Sequence, residues 1–304
     1  MSSIRIALAG ATGNLGVPLL KALLEADFPV TVLSRKGGNA AKLAQHPNLD
    51  VKEVDFQSVE SLLPVLSGVE IVVACVASAA IGSQNPLIDA SVAAGVKRFI
   101  PAEFGMDSRN SLCAQLPMVC APKVATQKYL MQQSEAHPDF TFTAIANGLF
   151  LDWGLKMGFI VDLRHHTATL YNGGDVRFSA TTLADVVAAV LGVIRHQQQT
   201  ANRVVYVQSA LVRQNQLIQY AKDFDGKEWS TSVKDTDEVR QESLLELTKG
   251  ALADVDGAML GLCICGAMSS DYGCDFSDRL DNELLGIEQM DETKLRALVT
   301  SFLK

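Results

Sequence analysis

Six cysteines stand at positions 75, 113, 120, 263, 265 and 274, and no two of them frame a C-x-x-C pair. Zinc-finger and thioredoxin-like chemistry therefore have no starting point. Thiols set in apolar segments, as at Cys75, Cys263 and Cys265, read instead as buried residues of a protein from a reducing compartment. Basic charge is also scarce: 26 lysines and arginines face 34 aspartates and glutamates, for a formal net charge of -8. That balance argues against a surface that tracks a nucleic-acid backbone, where affinity comes chiefly from neutralised phosphates. Glu70, or Asp254 and Asp256, interrupt the longest apolar runs before they reach the ~20 residues that span a bilayer. The start of the chain passes directly into a strand, with no basic lead, apolar signal core or small-residue cleavage site. These absences predict cytoplasmic residence, with no nucleic acid and no membrane among its partners. His137, His165 and His166 have no companions at zinc-ligand spacing, so they read as solvated or capping residues and no metal site is predicted.

What is present is a rhythm. The chain has 304 residues, 48% of them hydrophobic and 20% charged, which suits a soluble globular enzyme. Short β-branched runs at 4–9, 30–33, 51–54, 71–76, 98–100 and 140–146 alternate with amphipathic stretches such as 15–26 and 87–94. Those stretches are long enough for right-handed crossovers, and near-continuous apolar strands are expected where helices cover both faces of a parallel sheet. The fold class predicted is α/β, a Rossmann-type doubly wound parallel sheet over residues 1–150. After residue 150, Gly154, Gly158 and the turn Asn172-Gly173-Gly174-Asp175 break the rhythm. A smaller, mixed substrate-binding lobe is expected over 151–304. A helix at 182–195, a strand at 203–207 and a helix at 214–223 are expected to return in part to the main sheet.

Gly10-Ala11-Thr12-Gly13-Asn14-Leu15-Gly16 follows the first strand and opens the first helix. In that setting glycine permits the sharp turn, and missing side chains let a pyrophosphate approach the amides of a helix N-terminus. The alternative is a tight turn without a ligand. The spacing G-x-x-G-x-x-G differs from that of the dehydrogenases and points toward atypical short-chain reductases. At the end of the second strand a carboxylate would select NAD by holding the adenosine ribose. Here no acidic residue occurs between Asp27 and Asp50, while Arg35, Lys36 and Lys42 fall inside the interval. A guanidinium bonds a phosphate bidentately and the lysines add positive potential, so the expected cofactor is NADPH. A solvated basic loop is the competing explanation.

A short-chain reductase ordinarily moves its proton with a Tyr-x-x-x-Lys pair. None of the five tyrosines, at 129, 171, 206, 220 and 272, has lysine four residues later. Another group must carry the proton, and Lys123 is the best placed. It follows Pro122 at the expected start of a helix, after the loop Pro101-Ala102-Glu103-Phe104-Gly105, where the cleft of a parallel sheet should open. A helix N-terminus in a partly apolar cleft disfavours added positive charge, which suits a lysine to proton transfer. A surface lysine at a helix start is the plain alternative. Phe150, Trp153 and Phe159 are aromatic enough to line a substrate pocket, although aromatics at a sheet edge more often serve the core.

The glycine loop, Leu87-Ile88-Asp89-Ala90, and the stretch from Ala94-Gly95-Val96-Lys97-Arg98 through Phe99-Ile100-Pro101-Ala102-Glu103-Phe104-Gly105 together resemble the NmrA-like family. Within it the sequence is similar to isoflavone reductases and phenylcoumaran benzylic ether reductases, above all their fungal members. The resemblance is strongest through residue 150. Family members open a helix with K-x-x-[VI]-R-R-x-I, whose lysine carries the catalytic proton. Lys123-Val124-Ala125-Thr126-Gln127-Lys128-Tyr129-Leu130 keeps that lysine and departs at Thr126, Gln127 and Lys128. The resemblance also implies phosphate contacts from Arg35 and Lys42, and cofactor-bordering positions at Phe104 and Asn147. It implies an enzyme of secondary metabolism, an NADPH-dependent oxidoreductase that delivers hydride to a carbonyl, imine or quinone-methide-like carbon of an aromatic or polyketide-type small molecule, with homodimerisation left open. Two rivals share the fold. One is a redox-sensing NmrA-like regulator that binds NAD(P) without turnover; the other is a scaffold that isomerises or dehydrates with the cofactor merely structural.

Overall fold

Uninterrupted apolar runs become the inner strands of a parallel sheet, because only strands covered on both faces can bury every side chain. The computed structural model describes residues 4–303, apart from the side chains at 41, 42, 78 and 79. The strands, in chain order, are β1 (Ile6–Ala9), β2 (Val30–Arg35), β3 (Leu49–Val54), β4 (Ile71–Ala74), β5 (Arg98–Ile100), β6 (Thr141–Ala146), β7 (Leu149–Phe150), β8 (Thr167–Tyr171), β9 (Phe178–Thr181), β10 (Arg203–Tyr206), β11 (Ala210–Val212) and β12 (Ser230–Lys234). The helices are α1 (Gly16–Glu25), α2 (Val59–Leu62), α3 (Asn85–Ala93), α4 (Ala121–Ala136), α5 (Leu151–Lys156), α6 (Leu183–Arg195), α7 (Gln214–Asp225), α8 (Thr236–Leu247), α9 (Val255–Met268), α10 (Asn282–Leu285) and α11 (Glu292–Ser301).

Among the described residues the largest sheet has seven strands in the order β10-β6-β5-β4-β1-β2-β3. From β1 the chain runs outward through β2 and β3, then returns to place β4, β5 and β6 on the other side. The pairs β1–β2, β1–β4, β2–β3, β4–β5 and β5–β6 are all parallel. This is the doubly wound Rossmann-type sheet, with its switch in strand order between β1 and β4. The expected strand at 71–76 ends two residues early, at Ala74. The chain turns out of the sheet there, so Cys75 lies in a loop and is only half-buried.

The chain divides into two compact units. The first comprises Met1–Glu103, Pro122–Ile145 and Val187–Val205; the second comprises Phe104–Ala121, Ala146–Val186 and Tyr206–Lys304. In the first unit Leu62, Leu66, Val72, Ala74, Ile88 and Phe99 are fully enclosed in one apolar cluster. Arg98 is buried in the same unit among neutral oxygens. Its guanidinium donates to Thr141 Oγ1 at 2.9 Å, Thr143 Oγ1 at 2.9 Å, Thr200 Oγ1 at 3.0 Å and the Gln197 carbonyl at 2.5 Å. Burial lowers its pKa to about 10, and the four oxygens replace the water it has lost.

In the second unit β9 pairs antiparallel with β11 and parallel with β7, while β8 and β12 form a parallel pair. The almost wholly apolar α9 packs against α8 at Gly261, where a Cβ would stand 2.2 Å from Ser243 Oγ. All six cysteines remain thiols; Cys263, expected to be buried, lies partly at the surface of α9. His165 is exposed, as the solvated reading expects, whereas His166 departs from that reading. His165 Nδ1 lies 2.8 Å from Asp162 Oδ2, and the largely buried His166 places Nε2 2.7 Å from Asp225 Oδ2.

Candidate active site

The glycine loop sits at the switch point, immediately after β1. Gly10 has φ +84°, and a Cβ built on it would stand 2.2 Å from the Cys75 carbonyl oxygen. Gly16 is equally constrained, since its Cβ would meet the Gly10 carbonyl oxygen at 2.0 Å. These two glycines are required by the protein itself: they let the backbone after β1 close against the backbone after β4 and let α1 start beneath it. Gly13 is different. Its added Cβ would find only ordinary contacts, 3.4 Å to Gly10 O and 3.9 Å to Cys75 O, and the residue is exposed beside Thr12 and Asn14. Nothing among the described residues demands glycine at 13, whereas a pyrophosphate approaching the backbone would. The buried Ala11 and Leu15 anchor the loop from below. A Gly13 N–H to Gly10 O bond of 3.1 Å closes its turn. No side chain caps the start of α1, so its first-turn amides are suited to an anionic ligand. Desolvation pushes the neighbouring Cys75 thiol up to about 12, which leaves it neutral and without nucleophilic character near pH 7.

Arg35 is the last residue of β2, and it and Lys36 are exposed. The backbone turns sharply after them, with Gly38 N–H donating to Arg35 O at 2.9 Å. Both cations therefore stand at the carboxyl end of the strand next to β1, on the side of the sheet end where the glycine loop lies. The Lys42 side chain falls outside the described residues.

Lys123 occupies the first turn of α4 and is 6% exposed. Its Nζ donates to the backbone carbonyl of Glu103, just beyond the carboxyl end of β5. Of the departures from the family helix pattern, Thr126 is buried and returns its hydroxyl to Pro122 O at 3.0 Å, while Lys128 points to solvent. The first unit thus holds the glycine loop, Arg35, Lys36 and Lys123.

Phe104 and Asn147 belong to the second unit. Phe104 adopts φ +22°, a conformation that few residues with a side chain accept. Asn147 is fully buried: its N–H donates to Gly105 O at 2.9 Å and its carbonyl receives the Thr181 hydroxyl at 2.6 Å. Among the described residues its side-chain Oδ1 has no hydrogen-bond partner, and a buried acceptor in that condition suits a ligand N–H. Phe150, Trp153 and Phe159 are each half-buried. Asp185, in the first turn of α6, receives the Ser209 hydroxyl.

One residue bonded beside the Glu103 turn escapes any reading of the sequence. Gln84, buried between the last turn before α3 and the loop after β5, receives the Ala102 N–H at 3.0 Å and donates to Ile81 O at 2.8 Å. Its one mark in the sequence is that of a polar residue directly before an Asn-Pro helix start. No group of three or more His, Cys, Asp or Glu residues arranged to hold a metal occurs among the described residues, and none of their helices is long and apolar enough to cross a membrane.

Comparison with known proteins agrees with the family resemblance. The model of the NmrA-like family matches residues 2–233. Oxidoreductase aprR of Aspergillus flavus is 32% identical over 293 residues, covering 94% of this chain and 95% of that protein. Among solved structures, an isoflavone reductase aligns with a TM-score of 0.76 at 20% identity, over 99% of this chain and 100% of the other. The leucoanthocyanidin reductase of Vitis vinifera, solved as its binary complex with NADPH, aligns with a TM-score of 0.74 at 19% identity, over 98% and 99% of the two chains. With three quarters of its length matched by the family model and a fungal oxidoreductase aligned almost end to end, this chain belongs to the NmrA-like family.

Proposed function

We propose that this chain is an NADPH-dependent reductase of the isoflavone reductase-like kind, acting on an aromatic or polyketide-type small molecule, with Lys123 as its proton carrier. The observation that carries the reading is the buried Lys123 ammonium, held on a backbone carbonyl at the carboxyl edge of the same sheet that bears the glycine loop. The kinship with a fungal oxidoreductase and the NADPH complex of a similarly folded reductase support it.

The residues present fit the cofactor. Gly13 leaves open the space that a pyrophosphate needs, Arg35 and Lys36 offer cations to the adenosine 2′-phosphate, and Lys42 is proposed as a further phosphate contact on the resemblance alone. Phe104 and Asn147 are proposed as cofactor contacts in the second unit, the orphaned Asn147 Oδ1 being suited to an amide N–H. NADPH, when bound, supplies the hydride. Lys123 gives a proton to the oxygen or carbon that becomes electron-rich, or takes one in the reverse direction. An ammonium has three N–H groups, and the Glu103 carbonyl fixes the direction of one. Substrate selection is assigned to the second unit.

The decisive experiment pairs NADPH titrations on the wild type and Lys123→Met with NADPH oxidation against aromatic ketones, quinones and benzylic ethers. Both proteins are expected to bind NADPH within about twofold of each other, while turnover falls about 100-fold or more in the variant, the usual scale of general acid–base catalysis. Full turnover by Lys123→Met would remove the lysine from the chemistry, and absence of NADPH binding would remove the reductase reading altogether. Binding without turnover of any compound would instead favour the redox-sensing regulator.

A further inference from the structure

We infer that Gln84 is a positioning residue for Lys123: its buried amide fixes the turn whose Glu103 carbonyl holds the lysine ammonium. The inference rests on reading Lys123 as the proton carrier, and it concerns how that lysine is held rather than what it does.

Gln84 stands where a helix cap should be, directly before α3, yet its side chain makes no capping bond to that helix. It is 3% exposed and turned inward. Both ends of the amide are used. Oε1 receives the Ala102 N–H at 3.0 Å and Nε2 donates to the Ile81 carbonyl at 2.8 Å. Because one partner is a donor and the other an acceptor, only one orientation of the amide satisfies both.

The turn it holds is tight. Glu103 N–H donates back to Pro101 O at 2.8 Å, a three-residue closure, and the carbonyl of the same Glu103 receives Lys123 Nζ. The segment that carries Gln84 also meets the start of the helix that bears the lysine. A Cβ at Gly82 would stand 3.4 Å from Pro122 Cβ, so this segment packs on the residue immediately before Lys123. One short segment therefore steadies both the acceptor of the Lys123 ammonium and the helix start that carries it. Neither carboxylate nor thioether can substitute. Glutamate keeps the acceptor for Ala102 but loses the donor to Ile81, and methionine keeps the length and loses both. Either change leaves a buried backbone group unpaired and frees the 101–103 turn to shift. A displacement of about 1 Å is enough to disable a reacting group.

The test reads the Lys123 ammonium directly and needs no substrate. Full-length protein with isotope-labelled lysine side chains is examined by NMR, and the Lys123 ammonium resonance is assigned by its loss in Lys123→Arg. In Gln84→Met we expect that resonance to shift and its proton exchange with water to quicken by about fivefold or more. The other lysine signals should stay in place, and the thermal midpoint should fall by no more than about 10 °C, the cost of two buried backbone groups left unpaired. Gln84→Glu should show the same change and serves if the methionine variant fails to fold. A Lys123 resonance unmoved in the folded variants would overturn the proposal, as would equal disturbance of all the lysines, the mark of a merely structural role. Failure of the proton-carrier reading appears elsewhere, as undiminished turnover by Lys123→Met, and cannot be mistaken for either result.

Discussion

Lys123 donates its buried ammonium to the backbone carbonyl of Glu103, a residue 20 positions earlier in the chain. A carbonyl holds the ammonium in place without a counter-charge, the arrangement that the proposed proton-carrier role calls for. A side chain that keeps the charge and the donors but cannot release a proton near neutral pH should therefore fail. Arginine is that side chain. Lys123→Arg is expected to bind NADPH within about twofold of wild type and to lose about 100-fold or more in turnover. Titrating cofactor and timing NADPH oxidation on the same preparation checks both halves. Substantial turnover in the arginine variant would mean that Lys123 acts through its charge alone.

Gly10 and Gly13 are expected to respond in opposite ways to the same substitution. Gly10→Ala forces a Cβ to within 2.2 Å of the Cys75 carbonyl at φ +84°, and strain plus overlap should cost about 2–5 kcal/mol of stability. Gly13→Ala meets nothing closer than 3.4 Å, so stability should change by about 0.5 kcal/mol or less while NADPH affinity falls roughly tenfold. Urea unfolding and cofactor titration on the two variants separate a glycine kept for the fold from one kept for the ligand.

The parallel sheet was legible because its inner strands are unbroken apolar runs, and Arg98–Ile100 falls where the pattern puts it. Boundaries were less so. The apolar run continues through Val76, but the strand stops at Ala74 because the Gly10 backbone closes against the Cys75 carbonyl. Between β5 and α4 the chain has no period to read. Its order comes from side chains bonding nearby amides, as Asp107 does for Arg109 N at 3.0 Å and Asn110 for Leu112 N at 2.9 Å. The glycine loop and Lys123 announce themselves by residue type and position. Gln84 does not, because its two partners are a backbone amide and a backbone carbonyl that no side-chain pattern encodes. A different limit hid the His166 to Asp225 contact, which joins two side chains 59 positions apart.

Arg35 ends β2 exposed, and its proposed partner is the adenosine 2′-phosphate. Charge-assisted bonds to a phosphate are worth about 1.5–3 kcal/mol, so Arg35→Ala should weaken NADPH about tenfold or more. NADH lacks that phosphate, and its affinity should move by about twofold or less. Parallel titrations with the two cofactors test the assignment, and equal losses would show that Arg35 serves the ribose or the fold instead.

Tyr206 and Asp107, both buried in the second unit, share a 3.0 Å hydrogen bond in which the phenol donates. Burial first, and then the negative charge of Asp107, raises the Tyr206 phenol from 10.0 to about 12. The sign follows from linkage. The folded state holds this proton more tightly than the unfolded state, so the stabilisation is fully present below pH 10 and is lost as pH rises through 12. Tyr206→Phe removes both the bond and the titration, and near neutral pH it should cost about 1–2 kcal/mol, the usual result of leaving a buried acceptor short of a donor. The gap between wild type and variant should then narrow as pH rises above 10 and close or reverse by pH 12. Urea unfolding of the two proteins across that window measures it. A gap that stayed constant would mean that the phenol ionises as freely in the folded protein as in the unfolded chain, and that Asp107 is held chiefly by Arg279, whose guanidinium lies 3.3 Å away.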